Sequence, residues 1–213
     1  MGAAWAQEDS AAPDEANDPT NGVVARLTVV PYGEQRFDLL SGETTLPDGG
    51  TIVDTETGLR LEASFIRYLE GEYIEAQDAR ADTANGRLTA PTLSIDVPNL
   101  LAVAPAGVTF EREGLEVVAE GAELRFGPQL ARFERPSGEQ LGLEAVALLL
   151  DLVSGDALLL GPYRFQDGPF TLSDDREGSV LQLRPVVAED GSASYRAANE
   201  VDEDLWARVE PLR

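Results

Sequence analysis

Carboxylates, hydroxyls and arginines must carry any chemistry this chain performs. Its 213 residues hold 39 Asp and Glu against 16 basic residues, every one of them arginine, with neither histidine nor cysteine. That excludes disulfides, thiolate nucleophiles, imidazole acid–base catalysis and nearly all zinc chemistry. Three possibilities remain. Two carboxylates facing each other would suit glycoside hydrolysis, and the acidic runs Asp174-Asp175 and Asp202-Glu203-Asp204 offer oxygen ligands for calcium. Arg125, Arg132 and Arg135, around the turn Gly127-Pro128, offer donors for a phosphate. Each has a plainer alternative. No spacing singles out one carboxylate pair, the acidic runs lack an ordered ligand loop and read as solvated turns, and Glu123 and Glu134 stand beside the arginines as surface ion-pair partners. The expectation is a protein that is not an enzyme, with no catalytic residue, no metal site and no cofactor.

The net charge of −23 repels nucleic acid and anionic membrane, so neither is an expected partner. No run of about 18 apolar residues is present, so no transmembrane span is expected. At the start, Ala4-Trp5-Ala6 before Gln7-Glu8 resembles the small-x-small end of a secretory signal peptide, without the basic and apolar regions that normally precede it. Either the true start lies upstream or the match is accidental in an alanine-rich leader. The first reading makes the protein exported, periplasmic or otherwise. Residues 1–22 then read as a signal-peptide remnant and an acidic, proline-containing disordered leader.

Residues 58–135 organise the rest. They repeat a phrase of a long apolar residue, any residue, then alanine: Leu61-Glu62-Ala63, Ile74-Glu75-Ala76, Leu88-Thr89-Ala90, Leu100-Leu101-Ala102 and Val117-Val118-Ala119, returning at Leu143-Glu144-Ala145. Steps of 13, 14, 12, 17 and 26 residues separate the alanines, a period near 13 that suits one strand plus its turn. Polarity alternates within the phrases, placing Leu59, Leu61, Ala63 and Phe65 on one face of an extended chain. Turn formers lie between, among them Asn85-Gly86, Pro105-Ala106-Gly107 and Glu113-Gly114. The predicted fold is all-β, a ladder of short antiparallel strands with one apolar and one solvated face.

Residues 23–136 form the predicted ladder region, opening with a strand over 23–30, and residues 137–213 form a continuing β region with an acidic C-terminal tail. The run Pro136-Ser137-Gly138-Glu139 reads as a break between them. After it, residues 143–153 and 157–160 are apolar on both faces around Ser154-Gly155-Asp156. A helix competes with two strands here, and the surrounding β pattern favours strands. Such strands need cover on both sides, from the fold, a partner or a ligand. In the tail, Leu205, Val209 and Leu212 have helical spacing and suit a short closing element docked on the sheet.

With its apolar-x-Ala phrases, the segment 72–80 (EYIEAQDAR) and the run 106–119 (AGVTFEREGLEVVA), this ladder resembles the OstA-like periplasmic proteins of lipopolysaccharide transport. That resemblance implies a twisted, V-shaped antiparallel β-jelly roll built from this ladder of short strands, with room for two stacked halves, whose apolar interior shields acyl chains and whose edge strands join modules end to end. The lipid-binding residues it points to are Leu61, Phe65, Ile74, Leu88, Leu93, Ile95, Val108, Phe110, Val117, Leu124 and Phe126. The charge of −23 favours a neutral or cation-bridged headgroup over a polyanionic one.

The expected function is an exported, non-enzymatic envelope protein that binds or shuttles an acyl lipid or glycolipid. The alternative is a structural or adaptor protein that pairs through its sheet edges, or through the two-faced strands near residues 148–150, with itself or other envelope proteins.

Overall fold

The computed structural model describes residues 27–55, 57–112, 115–138, 142–187, 193–198 and 200–213. The leader, residues 23–26 of the expected first strand and the turn at 113–114 lie outside the described residues. The described chain is all-β and jelly-roll-like, with 19 strands. In order these are β1 (Leu27–Pro31), β2 (Arg36–Phe37), β3 (Thr44–Leu46), β4 (Gly50–Asp54), β5 (Leu59–Ala63), β6 (Phe65–Leu69), β7 (Tyr73–Thr83), β8 (Gly86–Asp96), β9 (Leu101–Ala104) and β10 (Val108–Arg112). They continue as β11 (Leu115–Ala119), β12 (Gly121–Arg125), β13 (Leu130–Glu134), β14 (Ser137–Gly138), β15 (Leu143–Asp151), β16 (Ala157–Asp167), β17 (Phe170–Asp174), β18 (Val180–Val187) and β19 (Ala193–Ala198). Helix α1 (Glu203–Val209) and a 3-10 turn, Glu210–Leu212, follow.

Strand pairing resolves this list into one antiparallel meander folded lengthwise. The front wall runs β1, β4, β5, β7, β8, β10, β11, β14, β15, β16, β17. The back wall runs β2, β3, β6, β7, β8, β9, β12, β13, β15, β16, β18, β19. The long strands belong to both: β7 pairs with β6 through Tyr73 to Gln77 in the back wall and with β5 through Arg80 to Asp82 in the front. Each leg of the meander therefore crosses a common crease, and the turns form two lips on the opposite side.

The crease explains the alanine phrase. Inward-facing side chains sit two residues apart within a wall, but at the crossing the step becomes three: Ala63 then Ile66, Ala76 then Ala79, Ala90 then Leu93, with the intervening pairs not buried. One inserted residue, as in a β-bulge, lets the strand bend sharply and return its apolar set to the inside. Two crossings use a left-handed residue, Asp78 at φ 47° and Arg135 at φ 45°. Ala63, Ala76, Ala90 and Ala119 are the last inward residues before the bend, where the converging walls leave space for a methyl group and little more. The 13-residue period of the sequence is one leg. At the crossing between β3 and β4, Gly49 has φ +78° and a Cβ there would lie 2.1 Å from the Ala63 carbonyl oxygen, so only glycine fits.

Four sequence expectations change. Phe65 is half-buried and leaves the inner face, because the crease at Ser64 shifts the alternation and gives the inward place to Ile66. Pro136 is a crease crossing and no seam, since β13 and β14 on either side of it both pair with β15. The two walls each draw on the whole chain rather than on successive halves. Finally, residues 148–150 are no partner surface, being fully buried within the fold. The preference for two strands around the Ser-Gly-Asp turn holds, in β15 and β16.

The chain itself covers the two-faced strands. Leu148, Leu150 and Leu159 enter the interior between the walls, while Leu149, Leu158 and Leu130 point outward into a separate cluster capped by Leu205 and Val209 of α1 and Leu212 of the 3-10 turn. Asp202 caps α1 by accepting from the backbone N–H of Asp204 and Leu205. Arg208 Nη1 reaches the buried carboxylate of Asp151 at 3.1 Å, and Arg132 Nη1 donates to the Leu212 carbonyl at 2.6 Å. No helix among the described residues is long and apolar enough to cross a membrane.

Candidate functional site

The space between the walls is the feature most elements converge on. From the front wall it receives Leu61, Leu88, Val108, Phe110 and Val117, and from the back wall Ile74, Leu93, Ile95 and Leu124, all buried in one continuous cluster. Phe126, in the lip after β12, packs against it half-buried. The structure thus brings together every expected lining residue except Phe65.

Cross-strand registers fix these contacts. Ile74 stands opposite Ile95, Leu88 opposite Phe110, and Phe110 opposite Val117, so neighbouring legs present matched apolar pairs to the interior. The two walls also meet directly: the rings of Phe110 and Phe133 lie 5.1 Å apart at 42°.

The sequence reading missed Leu46, Ile52, Phe133, Leu148, Leu150, Leu159, Phe165 and Leu183, all fully buried and part of the same cluster. The period-two signal was present for several of them, as in Ala131-Arg132-Phe133. For Leu148 and Leu150 it was masked because Leu149 is apolar too.

Among the described residues the buried polar or charged side chains are Thr44, Thr51, Asp151 and Gln182. The buried Asp151 and Gln182 pair with Leu130 and Leu158, on the outer face of the back wall beneath α1. Gln182 Oε1 accepts from the Asp202 backbone N–H at 2.7 Å. Tyr195 is buried at the back-wall end of the interior, and its burial pushes the phenol above the ordinary range. On the outer surfaces arginines face carboxylates along and across strands, as in Arg67 with Glu75 and Arg87 with Asp82. Burial raises the Asp82 carboxyl, but hydrogen bonds from Arg87 and Arg80 outweigh it and hold the group below its usual range.

The remaining candidates for chemistry disperse. Arg125 donates to Glu123 at 2.7 Å and Arg135 pairs with Glu120 at 3.3 Å on the crease, while Arg132 anchors the C-terminal turn. The three arginines do not form one phosphate cradle. Asp202 serves as a helix cap, and Asp174 is held by Arg176 with contacts at 2.5 Å to 3.2 Å. Among the described residues no group of three or more acidic side chains is placed to hold a metal. Two surface hollows lie outside the roll. One of about 790 Å³ borders the crease at Pro136, Val146 and Arg164, and one of about 360 Å³ lies beside Arg132 and Leu212.

No protein-family model matches the chain, and no curated protein sequence matches it significantly.

Proposed function

We propose that this protein is a non-enzymatic, exported component of the cell envelope that shelters the acyl chains of a lipid between the walls of its folded sheet. One observation carries the reading: a single apolar cluster runs through the interior between two walls that are hydrogen-bonded within themselves and joined along the crease. Parting the lips exposes that lining without breaking a strand ladder, so acyl chains can replace side-chain contacts there. The OstA-like texture of the ladder supports the same reading, and the acidic exterior suits a neutral or cation-bridged headgroup. Native mass spectrometry of detergent-free protein expressed with an export signal, followed by solvent extraction, tests it. The expected result is a stoichiometric acyl lipid that is lost on Val117→Asp. A lipid-free mass, with no uptake of a fluorescent fatty acid, overturns it.

A second reading, pairing through sheet edges, rests on β17. Among the described residues this strand pairs with β16 alone, and its Phe170 and Leu172 are 70% and 38% exposed although they share the face of the buried Phe165. Such an edge can accept another strand. Sedimentation of wild type against Thr171→Pro tests it: a dimer or partner complex abolished by the proline supports edge pairing, and a monomer at high concentration removes it.

A further inference from the structure

Among the described residues two hydrogen bonds span the mouth from lip to lip. Arg112, the last residue of β10 on the front lip, donates from Nη1 to the carbonyl of Leu152 on the back lip at 2.8 Å. Asn85, in the front-lip turn between β7 and β8, donates from Nδ2 to Oε1 of Gln129, in the back-lip turn between β12 and β13, at 3.3 Å. The sites differ in strength. Asn85 and Gln129 form an exposed neutral pair, whereas Arg112 is partly buried and its bond is charge-assisted. The guanidinium lies beside Gly155 of the back lip. Gly155, in the turn after β15, has φ +80°, and a Cβ there would lie 3.5 Å from both Arg112 Nη2 and the Tyr195 hydroxyl.

We propose that Arg112, with Asn85 as a weaker second point, latches the mouth of the roll, so that the interior opens when these lip-to-lip bonds break. The proposal rests on the lipid reading for its purpose, since an opened mouth is what admits an acyl chain. Opening itself is a property of the fold and can be measured without lipid. The latch accounts for one otherwise odd placement, an arginine side chain turned across the end of an apolar slot toward a main-chain carbonyl. Its loss removes one charge-assisted bond from the closed state alone, which raises the open population about tenfold.

The absence of native cysteine makes a direct test simple. Val117→Cys places a thiol on the inner face of the front wall, and Leu149→Cys places one beneath α1, outside the slot; both positions are fully buried. Adding Arg112→Ala is expected to speed iodoacetamide labelling of the thiol at 117 about tenfold while leaving that at 149 unchanged. No change at 117, or an equal rise at both positions from global unfolding, overturns the latch.

A second arm ties the mouth to the ligand. Cysteines replacing Asn85 and Gln129 are bridged with a short reducible bis-thiosulfonate, and uptake of a fluorescent fatty acid is followed before and after reduction. Slow uptake when bridged, restored by reductant, supports the latch as the route. Equal uptake in both states overturns that route with the lipid reading intact. No uptake in any state overturns the lipid reading, and the labelling ratio then decides the latch alone.

Discussion

Phe110 of the front wall and Phe133 of the back wall meet inside the roll, with ring centroids 5.1 Å apart and planes tilted by 42°. The two rings come from strands that share no ladder bonds, so their contact belongs to the closed fold rather than to either wall. Truncating either to alanine deletes a fully buried or nearly buried ring and is expected to cost about 3–5 kcal/mol. Because the cavities merge, the double variant should cost less than the sum of the singles by about 0.5–1.5 kcal/mol. Urea unfolding of the three variants measures both, and strict additivity would show that the walls are not coupled at this point.

The slip at the crease predicts a sharp contrast between neighbours. Leu61→Ala removes a fully buried side chain and should cost about 2–4 kcal/mol, whereas Phe65→Ser, on the outer face, should cost roughly 1 kcal/mol or less. Ile66→Ala should resemble Leu61→Ala. If Phe65→Ser proves as damaging as Leu61→Ala, the step of three residues at Ser64 is wrong.

That contrast marks where the sequence could be read and where it could not. Alternation inside a wall is local, so the inward places of Leu61, Leu88, Val117 and Leu124 follow from spacing alone. The crease is not local. Ser64 and Asp78 carry no unusual residue type that announces a bend, and extending the pattern of Leu59, Leu61 and Ala63 through Ser64 lands on the wrong side. The same limit applied to Leu148, Leu149 and Leu150, where an unbroken apolar run hides which side chain faces the slot. Only the docking of Leu205, Val209 and Leu212, from more than fifty residues away, shows that Leu149 needed its own cover. As for the site, its chemistry was legible as apolar, while its mouth was not, because Arg112 meets Leu152 through folding and not through any motif.

Docking of α1 should be separable from closure of the roll. Val209→Asp buries a charge against Leu130, Leu149 and Leu158 and is expected to release the helix. The released variant should bind the dye ANS through the uncovered patch while the strand content by circular dichroism is retained. Arg208→Ala leaves the buried Asp151 carboxylate with the backbone N–H donors of Val153 and Ser154, and should cost about 1–3 kcal/mol. Loss of the β spectrum in Val209→Asp would mean that the helix is part of the folding core.

The link between β17 and β18 carries a pH signature. Hydrogen bonds from the Arg176 guanidinium, then from its backbone N–H, hold the Asp174 carboxyl at about 2, below its ordinary 3.8. The sign follows from the depressed value: the folded state binds a proton here less readily than the unfolded chain, so this contribution is fully present above the ordinary value. It is lost as pH falls from there through the folded value. Near pH 3, below the ordinary 3.8, Asp174 should still be ionised and still hold the end of the edge strand. A carbon-detected NMR titration should place the Asp174 midpoint near 2 in the wild type and return it toward 3.8 in Arg176→Ala. The outcome matters for the edge, because β16 is the one strand partner of β17 among the described residues, and Asp174 fixes the point where the chain leaves it for the back wall. A wild-type midpoint near 3.8 would mean that the Asp174–Arg176 contact does not persist in solution, leaving the ladder pairing of Asp174 with Tyr163 to hold the end of β17.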